Sequence, residues 1–141
     1  MTLEPSCSLE ELQRMIDDSP FNGWLGVRVT TGDADSETLE MVMPFRPELE
    51  RSPGTGQIHG GPIASFIDVA GDFVLIWALG YGVPTINFRT DYLRPGTGTE
   101  LRARATIRRA GRTVGVVDID VLDSEDRLVA VGRGCYGTWS G

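Results

Sequence analysis

The stretch Pro62-Ile63-Ala64-Ser65-Phe66-Ile67-Asp68-Val69-Ala70-Gly71-Asp72-Phe73-Val74-Leu75-Ile76-Trp77-Ala78-Leu79 decides how the rest of the chain is read. Pro62 suits a first helical turn, where its missing N–H is no loss, and the apolar pattern stops at Gly80 and Gly82, the usual C-terminal punctuation. One long helix is predicted, starting in its first turn. Downstream, Thr85 to Tyr92, Glu100 to Arg109, Thr113 to Leu122 and Leu128 to Trp139 read as strands separated by Gly-containing turns, with no helices between them, so the sheet is expected to be mostly antiparallel. Upstream, Pro44 to Gly61 holds three prolines and four glycines and reads as a long loop. Before it, Trp24 to Thr31, with Leu25, Val27 and Val29 on one face, reads as a strand paired in a hairpin with Thr38 to Met43. Ser8 to Asp17 opens with the capping-box spacing Ser8-x-x-Glu11 and places Leu9, Leu12 and Ile16 at helical intervals, so a short helix is expected there, stopped by Ser19-Pro20. Helix, two strands, long helix, four strands is the order of a single α+β domain over residues 1–141.

At about 100° per residue, Ile63, Phe66, Ala70, Phe73, Val74 and Trp77 cluster on one side of the long helix and Ser65, Asp68 and Asp72 on the other. Gly61, Ala64, Gly71, Leu75 and Leu79 flank the carboxylates where a solvated face would carry charges, so something apolar is expected to cover this stripe. Asp68 and Asp72 are one turn apart, and like charges at that spacing repel more strongly in a low dielectric, which raises one pKa. Pairing with an arginine, or with backbone N–H groups, is the competing structural reading. Just upstream, Gln57-Ile58-His59-Gly60-Gly61-Pro62 places two unhindered N–H groups at a helix start, where the macrodipole favours negative charge, as an oxyanion site requires. His59, the sole histidine, braces this loop or takes part in chemistry.

Composition excludes several classes. The 141 residues carry 13 Lys+Arg against 20 Asp+Glu, a net charge of -7 that opposes nucleic-acid phosphates. All the basic residues are arginines, so a Schiff-base lysine and a phosphate loop ending in Gly-Lys are both impossible. The longest unbroken apolar run, Phe73 to Leu79, is far below the roughly 20 residues of a membrane span. Met1-Thr2-Leu3-Glu4-Pro5 lacks the basic and apolar regions of a signal peptide, so a cytoplasmic protein with Cys7 and Cys135 reduced is expected. No Gly-x-Ser-x-Gly elbow is present. Gly54-x-Gly56 lacks the third glycine and the preceding strand of a dinucleotide loop. One histidine and two distant cysteines do not make a metal site.

Gly56-Gln57-Ile58-His59-Gly60-Gly61-Pro62-Ile63-Ala64-Ser65-Phe66-Ile67-Asp68 resembles the hotdog-fold acyl-CoA thioesterases of the phenylacetate-pathway, PaaI-like type. The strand Thr85-Ile86-Asn87-Phe88-Arg89-Thr90-Asp91-Tyr92-Leu93-Arg94-Pro95 and the hairpin Arg108-Arg109-Ala110-Gly111-Arg112-Thr113 extend the likeness over nearly the whole chain. The resemblance implies an antiparallel sheet wrapped around the long helix, joined edge to edge as a homodimer and often doubled to a homotetramer. It implies hydrolysis of an acyl-CoA thioester to free acid and CoA, without a further cofactor or metal. In that scheme the Gly60 N–H polarises the thioester carbonyl, with His59 in the same loop. Asp68, reaching across the subunit interface, acts as general base or nucleophile, and Thr85 orients the attacking water. Gln57, Gly61, Ser65 and Asp72 then become substrate-binding candidates, as do Arg89, Arg109 and Arg112, which with Arg94 and Arg108 offer cations to the CoA phosphates. Phe66, Ile67, Trp77 and Tyr81 are apolar candidates for the acyl pocket. The family's loop amide six residues before the histidine is here Pro53. That departure keeps open a non-catalytic acyl-CoA or small-lipid binding module on the same fold, while a dehydratase acting on hydroxyacyl thioesters fits the His59-to-Asp68 spacing less well.

Overall fold

The structure, a computed structural model, describes residues 3–140; Met1 and Thr2 of the N-terminal reading, and Gly141, lie outside the described residues. α1 (Leu9–Asp18) begins as its sequence indicates. The Ser8 hydroxyl accepts from the Glu11 N–H at 3.1 Å and the Glu11 carboxylate accepts from the Ser8 N–H at 2.7 Å. Such a reciprocal cap stabilises by about 1 kcal/mol, and the helix buries Leu12 and Ile16.

Ser19-Pro20 ends the first helix as expected, and Pro20 also starts a second. α2 (Pro20–Leu25) takes the proline in its first turn and closes on Gly26 in the left-handed conformation, φ 77°. The strand expected from Trp24 therefore starts later, at Arg28. Leu25 and Val27 are both buried, as expected, but a helical turn and its exit bury them rather than alternation along a strand. Two residues three apart on a short helix and two apart on a strand share a face equally well, and six residues of pattern cannot separate the two periods.

β1 (Arg28–Asp33) pairs with β2 (Thr38–Pro44), after which a single 3₁₀ turn, Pro47–Leu49, interrupts the long loop and buries Leu49. α3 (Gly60–Leu79) follows, then β3 (Thr85–Tyr92), β4 (Glu100–Ala110), β5 (Val114–Leu122) and β6 (Leu128–Gly137). The six strands form one fully antiparallel sheet in the order β1-β2-β4-β5-β6-β3. Alternation places Leu101, Ala103, Ala105 and Ile107 of β4 and Val117, Ile119 and Val121 of β5 in one core with Phe66, Ala70, Phe73 and Val74 of α3. By length and composition α3 would reach across a membrane, yet 67% of its apolar window is buried inside the fold, which makes it the core helix.

The two sheet edges differ. Beside β1, the Gln13 side chain of α1 donates to the Val27 carbonyl at 3.2 Å and accepts from the Val29 N–H at 2.8 Å, occupying backbone groups there. β3, at the other edge, is exposed along most of its length and presents Ile86 and Phe88. An open apolar edge is a pairing surface unless something covers it.

Packing against the middle of α3 is tight. The buried Tyr136 ring of β6 lies over Gly71, and its hydroxyl donates to the Asp68 carbonyl at 3.1 Å. A Cβ on Gly71 would overlap that hydroxyl. Gly71→Ala is therefore expected to destabilise by about 2 kcal/mol or more, read as a lower urea midpoint, because overpacking displaces a buried ring and its hydrogen bond. Adding Tyr136→Phe, which removes the overlapping oxygen, is expected to recover part of that loss.

Candidate active site

The loop before α3 is built by backbone pairing. Ile58 donates to the Gly96 carbonyl at 2.9 Å and His59 to the Leu49 carbonyl at 2.7 Å, so the loop is held between the 3₁₀ turn and the segment after β3. The Glu50 carboxylate accepts from Gly56 N–H at 2.7 Å, and Gln57 Oε1 accepts from Arg51 at 3.0 Å. His59 is the N-cap of α3, its Nδ1 accepting from the Gly61 N–H at 2.9 Å. That settles which of the two glycine N–H groups is available. Gly61 spends its donor on the cap, while the Gly60 N–H has no acceptor among the described residues. The Tyr92 hydroxyl donates to the Gly60 carbonyl at 2.7 Å, fixing the orientation of this peptide region. His59 thus braces the loop, and Tyr92, which the sequence reading passed over, belongs to the same support.

Asp68 lies half-buried on α3, with Oδ1 accepting from the Thr85 hydroxyl at 2.8 Å. With its proton given to Asp68, the Thr85 oxygen keeps lone pairs for a water. No arginine pairs with Asp68 or Asp72 among the described residues. Asp72, one turn on, has its Oδ1 buried without a hydrogen-bond partner. Burial, and secondarily the Asp68 carboxylate beside it, pushes the Asp72 carboxyl up to about 7. Burial and the same two carboxylates raise the Tyr136 phenol as well.

The candidate residues fall into separate groups. Gly60 and Asp68 are eight residues apart on one helix, hence about 12 Å along its axis, too far to act on one carbonyl. His59 and Gly61 line two grooves that meet at the start of α3. The wider, about 580 Å³, also contains Arg51, Gln57 and Arg94; the narrower, about 320 Å³, contains Ser65 together with Phe21 and Trp24 of α2. Arg89 is held by Asp91 at 2.9 Å on the outer sheet face. Arg109 and Arg112 belong to the β4–β5 hairpin, where a Cβ on Gly115 would meet Leu75 and the Gly111 carbonyl accepts from the Thr138 hydroxyl, towards the far end of α3. Of the acyl-pocket candidates, Phe66, Ile67 and Trp77 are buried core, and the Tyr81 hydroxyl donates to the Thr138 carbonyl at 2.7 Å. Phe21, Trp24 and Arg51 replace them as groove residues. The signal for the aromatic pair was present in Pro20-Phe21-Asn22-Gly23-Trp24-Leu25-Gly26: a proline start, a glycine stop and two aromatics at i, i+3. Among the described residues no group of three or more His, Cys, Asp or Glu is placed to hold a metal ion.

The profile of the thioesterase superfamily matches residues 55–130, from the glycine loop into β6. The acyl-coenzyme A thioesterase PaaI of Escherichia coli is 33% identical over 111 residues, covering 78% of this chain and 76% of that protein. A Halobacterium salinarum protein, by name an unproven esterase, is 38% identical over 136 residues, covering 89% of this chain and 88% of that one. A solved structure from the thioesterase superfamily superposes with a TM-score of 0.83 at 35% identity, covering 92% of this chain and 96% of its own. A profile match over more than half the chain, relatives of this identity and the helix-in-sheet architecture agree: the chain belongs to the thioesterase superfamily, as a PaaI-like thioester hydrolase of the hotdog fold.

Proposed function

We propose that this protein hydrolyses an acyl-CoA thioester to free acid and CoA, in sites assembled between two subunits of a homodimer. The observation that carries the reading is the Asp68–Thr85 pair, a carboxylate positioned by a hydroxyl beside an open sheet edge, in a chain whose free helix-start donor lies about 12 Å away along α3. Neither half is a site alone. Pairing β3 edges covers Ile86 and Phe88 and offers Asp68 of one subunit to Gly60 of the other.

The Gly60 N–H, at the positive end of the α3 dipole, takes the thioester oxygen and the charge that develops on it. Asp68 removes a proton from a water held by the Thr85 oxygen, and the resulting hydroxide attacks the carbonyl carbon. Collapse of the tetrahedral intermediate breaks the C–S bond and the leaving CoA thiolate takes up the proton. Direct attack by Asp68, with water then cleaving the mixed anhydride, uses the same atoms. Arg51 and Arg94 of the wider groove meet the CoA phosphates. Arg89, Arg109 and Arg112 extend this cationic surface when contributed by a second subunit. The work is cytoplasmic, and a dimer of dimers is the expected complete assembly.

Subunit mixing tests the arrangement. Asp68→Asn removes the base, and Gly60→Pro removes the N–H. Proline suits that first helical position, and His59 before it already has the extended φ -58°, ψ 149° that a following proline requires. Each variant alone is expected to be inactive. Unfolded and refolded together in equal amounts, half the dimers carry one intact site, so about a quarter of wild-type thiol release is expected to return. If the mixture stays inactive while mixed dimers form, the site is not shared.

A further inference from the structure

The narrower groove has a wall that the thioesterase profile does not reach. α2 precedes the matched residues 55–130 and carries Phe21 and Trp24, each 51% exposed, a large apolar area for so short a helix. The two rings stack at 6.3 Å with an interplanar angle of 27°. The Arg46 guanidinium lies 4.5 Å from the Trp24 ring centroid, on the segment entering the 3₁₀ turn. Trp24 is therefore fixed by a stacked ring and a cation, and a fixed ring that still faces solvent is preorganised for something apolar. The groove that it walls runs to His59, Gly61 and Ser65, so it ends at the helix start that holds the free Gly60 donor.

We propose that the Phe21–Trp24 pair is the acyl subsite of this enzyme and selects uncharged, apolar acyl groups of medium length. The inference rests on the acyl-thioester reading above and adds the class of acyl group. The two grooves divide one substrate between them. The arginine-bearing one takes CoA, the aromatic one takes the acyl group, and the thioester sits at their junction. At about 320 Å³ the aromatic groove is at the small end of ligand sites and has room for an acyl group of medium length. Glu48 and Glu50 stand in its wall; Arg46 is 3.9 Å from Glu48 and offsets one of the two charges, so an acyl group ending in a carboxylate meets a net negative wall there.

The test compares acetyl-CoA, octanoyl-CoA and suberyl-CoA, the last an eight-carbon acyl group ending in a carboxylate, on wild type, Trp24→Ala, Trp24→Phe and Glu48→Gln. Wild type is expected to favour octanoyl-CoA in kcat/KM over both others by about tenfold or more. Trp24→Ala is expected to lose about tenfold on octanoyl-CoA with acetyl-CoA nearly unchanged, Trp24→Phe to restore most of that loss, and Glu48→Gln to improve suberyl-CoA alone. An equal loss on all three substrates, or no loss, overturns the subsite, as does suberyl-CoA turned over as well as octanoyl-CoA. If wild type releases thiol from none of them, the catalytic reading fails separately. Calorimetric binding then decides the subsite: it stands if Trp24→Ala weakens octanoyl-CoA about tenfold but leaves free CoA unchanged, and falls if both bind as in wild type.

Discussion

Asp68→Asn is expected to leave a folded chain that releases thiol from its best acyl-CoA at least about 10³-fold more slowly than wild type. Asparagine keeps the size of the side chain and an acceptor for the Thr85 hydroxyl, so the pair geometry persists. The lost quantity is basicity at one oxygen. In transition-state terms the loss is about 4 kcal/mol, with thermal stability close to wild type because Asp68 makes no ion pair that the change would break. Thr85→Val, which removes the positioning hydroxyl and leaves the carboxylate, is expected to lower kcat by about tenfold, a partial effect in keeping with a residue acting through a water. An Asp68→Asn variant with near wild-type kcat on that substrate refutes the assignment. Saturable acyl-CoA binding without thiol release by wild type itself would place the chain among binding modules.

The second large effect concerns stability and its dependence on pH. The Asp72 carboxyl sits at about 7 in the fold against 3.8 ordinarily, because burial and the neighbouring Asp68 disfavour its charge. A carboxyl raised in this way contributes stability that is fully present below pH 4 and is lost as pH rises through about 7. The gap corresponds to roughly 4 kcal/mol at its fullest. Asp72→Asn cannot ionise, so its advantage over wild type is expected to grow steadily from pH 4 to pH 7 and level off above. Asparagine also places a polar group where the Asp72 Oδ1 now lacks a partner, so the slope of the difference is the diagnostic, and its absolute offset is not. Urea midpoints at pH 4, 5.5, 7 and 8.5 measure it. Parallel curves for the two proteins would show that Asp72 ionises as freely in the fold as outside it.

Much of this architecture is legible along the chain, for identifiable reasons. α3 announces itself because seventeen residues from Ile63 to Leu79 repeat the helical period between a proline and a glycine, long enough for no other period to fit. The later strands are legible chiefly because alternation persists over most of β4 and all of β5. α2 was misread because six residues do not establish a period, and its aromatic pair was missed along with it. Asp68 stood out as a carboxylate among apolar and small neighbours. Tyr92 and Tyr136 did not, since a tyrosine in a strand has many reasons to be there and only its partner across the fold assigns one.

The sequence by itself determined the first helix, the long central helix, the antiparallel sheet that wraps it and the family. All of these depend on neighbours within a few residues or on a motif read in line. Only the tertiary structure decided which glycine N–H stays free, that Asp68 bonds Thr85 rather than an arginine, that the Asp72 Oδ1 is buried without a partner, and that α2 faces the groove at the start of α3. Each of those depends on which groups approach from segments far apart in the chain and on how much water they exclude. Distance and desolvation are properties of the packed molecule, and no local pattern of residues encodes them.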